Sequence, residues 1–181
     1  MLLTILLLFP ILGWAADLVF HPAGNCWEVD DNPMTISCRN IPQKTCCFVS
    51  APYCGVLNCV DCPIDAVVYS YFHHNCSVKA DNWCKITHFA ASKKGGCCVD
   101  LGLQDVCAGS WTGAFATAVS LASEKLCVEP NAMAYVDHHD GVKREIYIPQ
   151  GELDRATKLW LAGDFEGLGK FEDWAGQSAY V

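Results

Sequence analysis

Asp137-His138-His139-Asp140 places four side chains able to hold a metal or carry a proton in consecutive positions. Zinc asks for three or four converging nitrogen, sulfur or oxygen donors. Adjacent histidines on an extended chain point to opposite sides, so one ion takes both only where a turn twists them together. A third ligand would have to come from His21, His73, His74 or His88. The pattern is better read as a polar turn, and no metal or cofactor is expected.

His138, Glu145 and Arg144 could act as base, acid and anion clamp, the equipment of a small secreted hydrolase or nuclease. A chain with six histidines and twenty acidic residues offers many such trios. The chain has no G-x-S-x-G, H-E-x-x-H, P-loop or Gly-rich dinucleotide turn. No catalytic residue is assigned.

Thirteen cysteines dominate the remaining chemistry. Two stretches carry them in the same order. Cys26, Cys38, Cys46, Cys47 and Cys54 form the first set, and Cys76, Cys84, Cys97, Cys98 and Cys107 form the second. Asn25-Cys26 and Asn75-Cys76 lie fifty residues apart, as do Asp31-Asn32 and Asp81-Asn82. An internal repeat of one cysteine module is therefore expected. Five cysteines cannot close on themselves, so Cys59 is assigned to the first module and Cys127 to the second. Cys62, the second thiol of the Cys59-x-x-Cys62 pair, is left over as the unpaired residue. It could join two chains as a disulfide-linked dimer.

The surroundings favour oxidised thiols. Residues 1–16 read as a secretory signal peptide, an apolar run ending in Ala15-Ala16. The mature chain is expected to be secreted and extracellular, where disulfides persist. Asn75-Cys76-Ser77 is a glycosylation sequon. Net charge is -8 and the basic residues are scattered, which argues against nucleic acid, and no later segment is long and apolar enough to span a membrane.

The elements that would position these residues read as α+β. The expected parts are the duplicated cysteine module, one central helix, a β-hairpin and a C-terminal helix. Ser110 suits a helix cap, with Phe115, Val119, Ala122 and Leu126 along one face as far as Cys127. Residues 63–74 fit strand or helix. Met133–Val136 and Val142–Ile148 flank an Asp-Gly reversal and predict a hairpin. Leu153, Ala156, Trp160 and Leu161 mark an amphipathic helix over 152–162. The division expected is 17–62, 63–149 and a helical tail over 150–181.

These features imply a secreted, non-enzymatic effector or toxin-like protein that binds an extracellular protein or glycan. A carbohydrate-binding module is the alternative. It would show Trp27, Trp83, Trp111, Trp160 and Trp174 as an exposed stacking row.

Overall fold

The fold is a computed structural model describing residues 15–22, 34–50, 53–72, 76, 80, 82–86, 98–99, 106–113 and 127–174, with the backbone alone at 82, 84, 85, 98 and 99. Its elements are β1 (Ala15–His21), β2 (Met34–Pro42), β3 (Cys46–Phe48), β4 (Val56–Val60), β5 (Val67–Tyr71), β6 (Asn82–Lys85), β7 (Cys98–Val99), β8 (Ala108–Thr112), β9 (Cys127–Val128), β10 (Ala132–Val136), β11 (Lys143–Tyr147), α1 (Leu153–Leu161) and α2 (Phe165–Leu168). The protein is mostly β-sheet, which corrects the α+β expectation of a central helix and a C-terminal helix. Its described helices are two short ones near the end of the chain.

One sheet has six strands in the order β11-β10-β2-β1-β4-β7, and the other has five in the order β6-β5-β8-β3-β9. Alternation along each strand sends one set of side chains between the sheets. Leu18, Phe20, Ile36, Leu57 and Met133 enter the core from the larger sheet, and Val68 and Trp111 enter it from the smaller one. Trp111 shows why the central helix fails at its start. Residues 108–112 pair with β5, and Ala108 and Gly109 pair with β3 as well; the indole is fully buried, and its Nε1–H donates to the Ile41 carbonyl at 3.1 Å. A helix beginning at Ser110 would pull that anchor out of the core. The rest of the expected helix, residues 114–126, lies outside the described residues.

The strands of the two cysteine-bearing stretches take matching places. In the larger sheet the order β2-β1-β4-β7 repeats as β6-β5-β8-β3 in the smaller one. Every neighbouring pair in both series is antiparallel. Strands about fifty residues apart correspond, with one exchange: β3 lies in the sheet of the second stretch and β7 in that of the first. Each stretch between 17 and 149 thus contributes strands to both sheets, and one core serves both.

The bridges follow this exchange. Four disulfides join described residues: Cys38–Cys47, Cys46–Cys76, Cys54–Cys107 and Cys59–Cys62. The adjacent thiols of Cys46 and Cys47 brace β3 to two different segments. Cys46–Cys76 and Cys54–Cys107 cross between the stretches, so the first module does not close on itself. Cys62 is bonded to Cys59, in place of the unpaired thiol expected there. Cys127, expected to complete the second stretch, lies on β9 in parallel register with Cys46. Cys26 and Cys97 lie outside the described residues.

The end of the chain covers the larger sheet. β10 and β11 pair in register around the Asp140-Gly141 reversal, where Gly141 adopts φ +69. That left-handed backbone is cheap only without a Cβ. α1 buries Leu153, Ala156 and Thr157 and leaves Leu161 exposed. Gly163 (φ +69) ends it, and the Asp164 side chain then accepts from the Gly167 N–H at 2.8 Å to open α2. Tyr53 ties this layer to the sandwich by donating to Thr157 Oγ1 at 2.6 Å. Glu172 and Trp174 bond to the outer edge of β11, which would otherwise present unpaired backbone groups. Among the described residues no helix is long and apolar enough to cross a membrane.

Candidate functional site

The face of the larger sheet that turns away from the core carries polar and small residues. One rung across it reads Tyr147, Ala132, Ser37, Val19, Asn58, and the next begins Glu145, Ala134, Thr35. Small side chains occupy the middle strands and long ones the flanks, so the face is hollow at its centre. The result is a trough of about 400 Å3 with Val19, Thr35 and Ala134 along its floor, and His21, Arg39, Asn58, Lys143 and Glu145 around it. That volume falls within the ~300–1,000 Å3 range typical of small-molecule sites.

Arg39 forms one wall by reaching across β10. Its Nε donates to Glu145 Oε1 at 2.9 Å, its Nη1 donates to Asp17 Oδ2 at 2.8 Å, and its Nη2 also reaches Glu145. The backbone beneath is fixed separately, since Arg39 N–H donates to Asn131 Oδ1 at 2.7 Å. Burial works against the guanidinium charge, but Glu145 and Asp17 outweigh it and raise Arg39 above its ordinary value. Arg39 is thus balanced by Glu145 and Asp17, while Lys143 and Arg144 also line the trough.

Asn58 and His21 lie at the other wall. Asn58 is only 2% exposed, yet its Oδ1 has no hydrogen-bond partner among the described residues. Buried amide oxygens are nearly always satisfied, and this one has almost no accessible surface through which a molecule in the trough could reach it. His21 ends β1 opposite Val56 and is equally buried. Gly55 packs on its carbonyl so closely that a Cβ there would collide with it.

The trio His138, Glu145 and Arg144 does not converge. Arg144 and Glu145 are adjacent on β11 and project from opposite faces. Glu145 joins Arg39, while Arg144 turns to Asp137 (3.3 Å) and Asp140. His138 and His139 both pack edge-on against Phe165, with ring centroids 5.4 and 5.7 Å apart. The aspartates of the Asp137–Asp140 stretch are therefore engaged in shaping a turn. Among the described residues no three His, Cys, Asp or Glu side chains gather in a metal-like group. His73, His74, His88 and the Asn75 sequon lie outside the described residues.

The tryptophans form no exposed row among the described residues. Trp111 is buried, Trp160 and Trp174 are half-buried, and Trp83 is 62% exposed at the edge strand β6. Trp174 lies beside Tyr147, with centroids 6.2 Å apart. Trp27 is outside the described residues. Arg39, Asn58 and Asp17 are site residues that the reading of chemical motifs did not reach. Their signal was strand alternation, in Thr35-Ile36-Ser37-Cys38-Arg39 and Leu57-Asn58-Cys59, where every second residue is polar.

The turn makes a pH prediction. Asp137 accepts the His139 backbone N–H at 2.9 Å, and this bond, opposed by desolvation and helped by Arg144, holds its carboxyl below the ordinary value. A depressed folded pKa contributes stability above the unfolded value and loses it as pH falls through the folded one. The His139 amide resonance should therefore shift only below the ordinary aspartate range, and Asp137→Asn should remove that titration. A midpoint at or above the ordinary value would contradict the geometry.

No protein-family model, curated protein or solved structure matches this chain.

Proposed function

We propose that this chain is a secreted, non-enzymatic protein of effector type that acts by binding at a cell surface, with the trough on the larger sheet as its recognition site. The observation that carries this reading is the trough itself, a hollow of about 400 Å3 on a polar sheet face, with Arg39, Asn58 and Glu145 among its walls. The bridges support durability in an oxidising medium, because they cross-link the sandwich core. The dispersal of His138, Arg144 and Glu145 favours binding over acid-base turnover.

The reading is tested with labelled protein on intact cells. Ala134→Leu fills the floor and Lys143→Glu reverses the charge of an exposed rim residue. Each should weaken surface binding by roughly tenfold, about 1.4 kcal/mol, with circular dichroism unchanged. Undiminished binding by both folded variants would remove the trough from the function. Trough-dependent cleavage of phosphate-ester or glycoside reporters would replace the reading with the hydrolase.

A further inference from the structure

The first two residues of β1 give the fold very different things. Ala15 is exposed, whereas Ala16 is 1% exposed and belongs to the hydrophobic core. Ala15 lies opposite Pro42, and Ala16 lies opposite Ile41, which is fully buried. Proline has no N–H to offer a neighbouring strand, and the Pro42 carbonyl already accepts the Thr45 N–H at 3.3 Å. A chain that begins after Ala15 therefore gives up little of the sheet. A chain that begins after Ala16 loses a core side chain and makes Asp17 its terminal residue. Asp17 is a fixed point of this corner, since its Oδ1 accepts the Asn40 N–H at 2.7 Å and its Oδ2 accepts from Arg39 at 2.8 Å. Ala16 is the residue that anchors Asp17 from the other side.

The sequence ahead of β1 narrows the same choice independently. Secretory cleavage sites carry small residues directly before the cut and two positions earlier, in the A-x-A manner. A cut after Ala15 puts Ala15 and Gly13 at those positions, and both are small. A cut after Ala16 puts the bulky Trp14 at the earlier one. Because Ala16 is covered in the finished sheet, the bond has to be cut before β1 joins β2.

We infer that the Ala15–Ala16 peptide bond is the processing site of this chain, hydrolysed by a signal peptidase. Water adds across the amide, leaving the Ala15 carboxylate on the released leader and the Ala16 ammonium on the mature chain. This rests on the chain being exported, as proposed above, and it fixes the residue at which the folded protein begins.

The test expresses the full reading frame in a eukaryotic secretory host and reads the protein in the medium by N-terminal sequencing and intact mass. The mature chain should begin Ala16-Asp17-Leu18. Two variants then separate the neighbouring bonds. Ala15→Leu puts a bulky residue directly before the inferred cut and should lower the cleaved fraction roughly tenfold or more. Ala16→Leu does the same for the next bond and should leave cleavage unchanged. Leucine at 16 overpacks the core, so both variants are read in cell-free translation with microsomal membranes, where cleavage is scored without folding. A mature chain beginning at Asp17 or any other residue, or cleavage lost with Ala16→Leu and kept with Ala15→Leu, overturns the inference and leaves export standing. An uncut chain in the medium does the same. An uncut chain that stays with the cells removes export, and the inference with it.

Discussion

Replacing Cys54 and Cys107 together by alanine should lower stability by about 4 kcal/mol, against about 3 kcal/mol for replacing Cys38 and Cys47. The two bridges close chain segments of very different length, with sequence separations of 53 and 9. In the chain-entropy account the stabilisation comes from restricting the unfolded state and grows with the logarithm of the loop. Cys46–Cys76 shortens the open path for the longer loop, but a logarithm makes that correction small. Native contacts should survive either change. Gly55 and Val106, next to Cys54 and Cys107, exchange backbone hydrogen bonds at 3.0 and 2.9 Å that need no sulfur. Equilibrium urea unfolding of the two double variants gives the comparison directly. An equal or reversed order would place the effect in native packing and not in the unfolded chain.

That ordering depends on connectivity, which the cysteine order could not supply. The offset of about fifty residues was legible because paired positions carried the same residues, and the matching strand orders of the two sheets follow the same offset. The exchange of β3 and β7 was not legible. Those strands are three and two residues long, too short for any period to assign them to a sheet. The hairpin of β10 and β11 could be read because its turn chemistry is local. β8 could not, since Ser110 is chemically a good cap and only the space between the sheets requires Trp111 to be extended. The trough illustrates the same limit at the site. Arg39, Glu145 and Asp17 lie 106 and 22 positions apart along the chain, and no spacing rule joins them. Only the sheet order does. Conversely, the residues that looked chemical together, Asp137 to Asp140, were neighbours in sequence because a tight turn uses them.

Arg39 is also where a single substitution should do the most damage. Arg39→Met keeps much of the aliphatic stem but leaves Asp17 and Glu145 facing each other without a cation. Removing one partner of a buried ionic group costs about 3–5 kcal/mol. The lower end applies here, because the Glu145 side chain keeps 30% exposure while Asp17 keeps 14%. The backbone of Arg39 should hold its place, since Asn131 bonds both its N–H and its carbonyl. The loss should therefore report the charges. Combining Arg39→Met with Asp17→Asn and Glu145→Gln should recover most of it, because the amides no longer need a cation. Arg39→Lys should fall between, as one ammonium cannot address carboxylates on β1 and β11 with the geometry of a guanidinium. Urea midpoints across the four proteins decide the matter. If the triple variant is no more stable than Arg39→Met alone, the wall of the trough is held by packing of the arginine stem, and the ion pairs contribute little to the fold.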